Sequence, residues 1–151
     1  MIRGIKSDVK SRLNNIYLLQ QLLQINKDEM IETMELQYEI RSVVDSGIAE
    51  IFDKWLNDIE NEINKIDKEL TFILNCINQI KDSEDKKIII DLYVNRKPIN
   101  EIEKEFGMEH DFMLETLEEI YIQLKRIIRK NQVNYDLWSN LCDVRWKFDS
   151  T

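Results

Sequence analysis

The placement of its helix breakers most constrains what this sequence can fold into. The chain has one proline and three glycines, and Pro98 and Gly107 bracket a short segment whose apolar residues, Ile99, Ile102 and Phe106, are three and four positions apart. Proline has no N–H to give to a helix interior but fits a helix's first turn. Glycine readily takes the left-handed conformation that ends many helices. The pattern therefore predicts a short helix from Ile99 to Phe106, ended by Gly107.

The residues on both sides of this segment predict longer helices. Upstream, a capping-type link at Asp82–Ser83 starts a helix whose apolar face, with Ile88 and Leu92, stops at Asn95. Downstream, a helix is expected from about Glu109. The order of helix, turn, short helix, glycine and long helix is a helix-turn-helix outline. The predicted core of this module consists of Ile89, Leu92, Ile102, Phe106, Met113, Leu117 and Ile120.

The segment IIIDLYVNRKPINEIEKEFGM resembles the helix-turn-helix of bacterial sigma factors, of the sigma-70 region 4 type. In that family a leucine-rich helix leads to an E-I-A-x-x-L-G core, which Glu101, Ile102, Phe106 and Gly107 match. The similarity extends upstream through a charged coil, from about Ser46 to Lys130. In this form the chain resembles small sigma-like regulators encoded by phages of low-GC Gram-positive bacteria. The resemblance implies a transcription regulator that acts on promoter DNA or on RNA polymerase.

The positions that would face DNA have an unusual charge. A recognition helix normally presents Arg, Lys, Asn or Gln to base edges, whereas Glu109, Asp111 and Glu115 begin this one. Carboxylates repel phosphate, so DNA binding is expected to be weak and salt-sensitive. The candidate nucleic-acid contacts are Lys97, His110, Phe112, Arg126, Arg129 and Lys130.

The same acidic helix favours a second hypothesis from another class, a helical protein-binding inhibitor. An acidic surface steers binding to a basic partner as a basic surface does to DNA. Such a protein would occupy the nucleic-acid site of a basic host protein, as an anti-defence protein or nucleic-acid mimic does. The candidate protein contacts are Glu109, Asp111, Glu115, Glu118 and Glu119.

Composition supports an all-α protein and gives no support to catalysis. With so few glycines and prolines, hairpins and sandwiches lack turn residues, and 43% hydrophobic with 33% charged residues is typical of a folded, helix-rich chain. There is one histidine and no nucleophile elbow, phosphate-binding loop or metalloprotease motif. We therefore expect no enzyme activity, no catalytic residue, no metal or other cofactor and no small-molecule substrate.

Charge and hydropathy bound the location and the partners. The net charge of −8 disfavours nonspecific nucleic-acid and membrane-surface binding. No apolar run is long enough for a signal peptide or a membrane span. A cytoplasmic protein without a membrane partner is expected.

Three segments are predicted: a helical bundle over residues 1–81, the module over 82–130, and an aromatic helix or tail over 131–151. In the first, helices over Ser7–Ile25 and Asp28–Val44 are separated by a turn at Asn26–Lys27. The inward residues expected in the second of these helices are Met30, Ile31, Met34, Ile40, Val43 and Val44. A heptad seam then runs from Ile48 to Ile80. This seam fits an intramolecular bundle and a homodimer equally well. After a polar break beyond Lys130, the last segment either packs on the domain or docks on a partner.

Overall fold

The computed structural model describes the backbone of residues 2–40 and 46–149 and the side chains of residues 9–40 and 47–133. Over these ranges the chain contains helices and turns and no strand, so the all-α prediction is confirmed. The α-helices are α1 (Ile2–Ile40), α2 (Ser46–Asn78), α3 (Ser83–Ile89), α4 (Ile99–Phe106) and α5 (His110–Asp149), and a π-helical turn, Ile90–Val94, extends α3.

Helix α1 is continuous, so the predicted turn at Asn26–Lys27 is wrong. Asn26 is a helix-interior residue whose side-chain amide donates to the carbonyl of Leu22 at 2.8 Å. An asparagine costs a helix interior less than about 1 kcal/mol, which neighbouring turns easily offset. A polar pair without glycine or proline is therefore too weak to end the helix.

The predicted inward face of the second half of α1 is also partly wrong. Ile31 and Met34 are exposed, whereas Met30, Thr33 and Gln37 are half-buried. The half-buried positions follow a repeat of three and four residues, but several of them are polar, which hid this face in the sequence. The predicted inward residues Val43 and Val44 lie outside the described residues.

Helix α2 carries the predicted heptad seam. The buried residues of the seam are Phe52, Ile66, Leu70, Ile73 and Ile77, together with Ile80, which lies just beyond the end of α2. The sequence left Trp55 and Leu56 as alternative seam residues next to Phe52, and the half-buried Leu56 takes this position, whereas Ile48 and Trp55 are exposed. Gly47 lies in the first turn of the helix and does not interrupt it.

The chain divides into two compact units, one of residues 1–13 with 73–151 and the other of residues 14–72. Helices α1 and α2 each contribute to both. Residues 73–81, assigned from sequence to the N-terminal bundle, group with α3 to α5. Gln79 and Asn131 exchange side-chain hydrogen bonds of 3.0 and 2.9 Å, which join the end of α2 to α5.

Helix α5 continues to Asp149, so the predicted polar break beyond Lys130 is wrong. At that point the side chain of Asn131 donates to the carbonyl of Ile127 at 2.7 Å, as in a helix interior. The aromatic segment predicted over residues 131–151 is thus, as far as Asp149, the end of α5. Its side chains beyond Val133 lie outside the described residues.

Among the described helices, none has the length and apolar character needed to cross a membrane.

Candidate binding surface of α3 to α5

The segment formed by α3 to α5 begins at the N-terminus of α3, which is capped and acidic. The Asp82 side chain accepts hydrogen bonds from the backbone N–H groups of Glu84 and Asp85 at 2.8 and 3.1 Å, the expected N-cap geometry. Burial, together with the carboxylates of Asp82, Glu119 and Glu84, raises the pKa of Asp85. This corner of the segment is therefore a region of negative potential, which repels phosphate.

The turn between α3 and α4 is built around Asp91. Its backbone carbonyl accepts from the Lys97 N–H at 2.8 Å, and its carboxylate accepts from the Asn95 side chain at 3.0 Å. Arg96 takes a left-handed φ of 56° in this turn. Asp91 is only 3% exposed, and its other carboxylate oxygen has the Lys97 ammonium 3.7 Å away. A buried carboxylate needs such partners.

Sequence reasoning missed this role of Asp91. The available signal was an aspartate inside an apolar run, with an amide-bearing Asn95 four residues later, one helical turn away. The spacing alone did not show that Asp91 would be buried.

Lys97, a predicted phosphate contact, is held by carboxylates of its own chain. Its ammonium lies 3.7 Å from Asp91 and 3.6 Å from Glu105. Glu105 also accepts from Lys87 at 2.5 Å, a contact that lowers the pKa of Glu105 and raises that of Lys87. Much of the positive charge in the turn is thus neutralised within this network.

The turn between α4 and α5 has the predicted geometry. Gly107 has a φ of 62°, and the carbonyls of Lys104 and Glu103 accept from the N–H groups of Gly107 and Met108 at 3.4 and 2.9 Å. This pair of bonds is a Schellman motif.

Most of the predicted module core is buried, and two members are not. Leu92 and Phe106 are half-buried, and the Lys87 ammonium lies 5.5 Å from the centroid of the Phe106 ring. That position combines apolar contact with a cation over the ring face. The fully buried predicted residues are Ile89, Ile102, Met113, Leu117 and Ile120.

His110 at the start of α5 points back to α4. Its Nδ1 donates to the Glu103 carboxylate at 2.7 Å, and this hydrogen bond is the main cause that raises the pKa of His110. A second predicted nucleic-acid contact is therefore already paired with a carboxylate of the chain. The bond also ties the two helices together across Gly107.

The first turns of α5 present carboxylates and one aromatic ring to solvent. Phe112 is 56% exposed, and Leu114 nearby is 45% exposed. The predicted protein contacts are all exposed: Glu109, Asp111, Glu115, Glu118 and Glu119. The arrangement suits a partner with an apolar pocket and a basic rim.

The predicted basic residues lie far from this start. Arg126, Arg129 and Lys130 are exposed on α5, while the neighbouring Lys125 is half-buried. At about 1.5 Å per residue, Arg126 is about 24 Å along the helix from His110. The predicted nucleic-acid residues of α5 therefore do not form one patch, since His110 and Phe112 lie at the start of the helix and the basic residues lie toward its other end.

A tyrosine pair, missed by sequence reasoning, connects the π-helical turn to α5. The hydroxyl groups of Tyr93 and Tyr121 are 2.5 Å apart, and the Lys10 ammonium lies 5.4 Å from the centroid of the Tyr121 ring. Burial raises the pKa of both tyrosines. The pair fixes the end of the π-helical turn against α5.

These elements define an all-α protein with a capped short helix between two turns and a solvent-exposed acidic helix start. No group of side chains suited to a metal ion occurs among the described residues. A scan against protein-family models, a search of curated proteins and a search of solved structures each returned no match to this chain.

Proposed function

We propose that this chain is a sigma-like, helix-turn-helix regulator of transcription, of phage or prophage origin, which acts on promoter DNA or on RNA polymerase. The observation that carries the proposal is the Gly107 turn. Its left-handed φ and paired hydrogen bonds join a short helix to a long one, in the order that sigma-type modules use. The exposed start of α5 is the surface such a module presents to its target.

In this proposal DNA affinity comes from the exposed Arg126, Arg129 and Lys130. Contacts of this kind position a protein on the phosphate backbone without reading bases. Lys97 and His110 add little to the affinity, because both already pair with carboxylates of the chain. Binding to duplex DNA is thus weak, and sequence selection depends on a partner such as RNA polymerase.

A second candidate function is inhibition of a basic host protein. It is favoured by Phe112, which is exposed among carboxylates at the start of α5. An aromatic residue that can enter a pocket, within an acidic rim, is a common interface arrangement. Here Asp111 and Glu115 would occupy the site where the host protein otherwise binds phosphate.

Capture of targets from a lysate of a low-GC Gram-positive bacterium, with and without nuclease, separates the two functions. A regulator enriches DNA fragments or RNA polymerase, and the double change Arg126→Gln with Arg129→Gln reduces the DNA yield. An inhibitor retains one dominant basic protein after nuclease treatment, and Asp111→Asn with Glu115→Gln releases it. If neither double change alters what is captured, α5 is not the binding helix and both functions are wrong.

A further inference from the structure

The unit of residues 14–72 has a second helix face that nothing in the described chain covers. On α1 this face is a stripe of exposed residues. Each of them directly precedes one of the half-buried residues that repeat every three or four positions (the α1 seam), as Leu22 precedes Leu23 and Glu29 precedes Met30. The spacing alternates between four and three residues, which keeps the stripe on one face. The exposed α1 stripe consists of Leu18, Leu22, Ile25, Glu29, Glu32 and Leu36.

Helix α2 has a matching stripe. Here too each member from Ile51 onward directly precedes a seam residue, as Ile51 precedes the buried Phe52. The Trp55 ring, although 51% exposed, is held edge-on to the ring of Phe52 with centroids 5.2 Å apart. The α2 stripe consists of the exposed Ile48, Ile51, Trp55, Asp58 and Glu62, and the same spacing continues it to the exposed Lys65 and the half-buried Glu69.

The two stripes lie on the same side of the unit. The Gln37 side chain donates to Asp53 at 2.8 Å, which sets α1 and α2 side by side at this level as antiparallel neighbours. Because each stripe residue is one position before a seam residue, both stripes are rotated from their seams in the same sense by about 100°, the rotation per residue of an α-helix. In an antiparallel pair an equal rotation brings both stripes to one side, where they border a shared groove, the hairpin groove.

Charge divides the hairpin groove into three parts. In this antiparallel pair, a residue a given number of positions before Gln37 lies opposite a residue about the same number of positions after Asp53. Leu36 therefore lies near Trp55, and Glu32 and Glu29 lie near Asp58 and Glu62. The end with Leu36, Ile51 and Trp55 is therefore apolar on both helices, and the middle has four exposed carboxylates. At the other end the apolar residues belong to α1, where Ile25 lies at the level of Lys65 on α2. Exposed apolar residues at regular helical spacing are typical of a surface that receives another helix, and the excess of carboxylates favours a basic one.

We infer that the hairpin groove binds an amphipathic helix of a partner protein, with apolar residues at its two ends and Lys or Arg in the middle. Apolar ends would cover Ile51 and Trp55 at one end and Leu22 and Ile25 at the other. The basic middle would neutralise the four carboxylates. A second copy of this chain is the poorer occupant, because a symmetric dimer through the groove places four carboxylates against four others.

Titration of the full-length chain with a fluorescent synthetic helix tests the inference. The probe is a peptide with Leu at heptad positions near both ends and Arg in its central turns. The matched control peptide has Glu in place of Arg. The inference expects the Arg peptide to bind and the Glu peptide to bind at least about tenfold more weakly, since like charges then meet.

Matched protein variants locate the site. Glu32→Lys should weaken binding of the Arg peptide at least about tenfold, whereas Glu60→Lys, the same charge change at an exposed position on the side of α2 away from the groove, should have little effect. Ile51→Ser should also weaken binding, whereas Ile31→Ser, at an equally exposed position outside the groove, should not. Both isoleucines are exposed, so neither change is expected to unfold the chain.

Three outcomes would overturn the inference. The first is equal loss of binding in Glu32→Lys and Glu60→Lys, which would mean that only overall charge matters. The second is no binding of the Arg peptide to the unmodified chain. The third is sedimentation of the unmodified chain as a dimer that Ile51→Ser dissociates, which would make a second copy the occupant of the groove.

Discussion

The imidazole of His110 donates to the carboxylate of Glu103 at 2.7 Å, across the turn made by Gly107. His110 begins α5, where a DNA-reading helix would approach the bases, and Glu103 lies in α4. The hydrogen bond therefore holds α4 and α5 together through His110, a side chain that the sequence predicted to contact nucleic acid. It also places a carboxylate next to the proposed DNA-facing surface.

Replacement of Glu103 by Gln should lower the pKa of His110 toward its ordinary value of about 6.5. In the unmodified chain Glu103 raises this pKa, so the interaction contributes stability below about pH 6.5, and that stability is lost as pH rises through the higher folded-state pKa. The titration of the imidazole protons, followed by NMR, measures both values. Glu105→Gln is the control and should leave the His110 curve in place. An unchanged curve in Glu103→Gln would show that the pair is absent in solution.

Replacement of Gly107 by Ala should destabilise the chain by about 1–2 kcal/mol, the cost of a left-handed conformation for a residue with a Cβ. No atom lies within 4 Å of the position of that Cβ, so steric clash adds nothing. Gly107→Asn should cost less, because asparagine tolerates this conformation. Urea unfolding of the three proteins tests the order. If Ala and Asn were equally harmless, the positive φ of Gly107 would be wrong.

The core of the segment can be tested by two truncations. Ile102 is fully buried, so Ile102→Ala should lower the free energy of unfolding by about 2–5 kcal/mol. Phe106 is half-buried, so Phe106→Ala should cost less than the roughly 3–5 kcal/mol of a fully buried phenylalanine. Thermal and urea unfolding provide both values. A larger loss for Phe106 than for Ile102 would contradict the burial pattern of α4.

The sequence predicted those features that depend on local chemistry. Asp82 caps a helix because its side chain reaches N–H groups two and three residues ahead, and Gly107 ends one because of its own φ. The continuity of α1 through Asn26 was missed because polar residues only weakly disfavour a helix interior.

The candidate site was harder to predict, since its electrostatics depend on contacts between elements. Lys97 is an exposed cation when only its neighbours in sequence are considered. In the folded chain Glu105 lies 3.6 Å from its ammonium, and Asp91 is buried beneath it. Neither contact follows from a fixed spacing within one helix, because a turn separates Asp91 from Lys97 and α4 brings Glu105 back to Lys97.

Binding of a fluorescent DNA duplex, measured from low to moderate salt, tests the proposed regulator most directly. We predict weak binding whose logarithm falls linearly with the logarithm of salt concentration. Arg126→Gln with Arg129→Gln should reduce that slope by about 0.9 for each lost phosphate contact. Glu115→Gln should strengthen binding by removing a repulsion. No binding of the unmodified chain at low salt, together with loss of protein capture in Asp111→Asn with Glu115→Gln, would contradict DNA binding and favour the inhibitor.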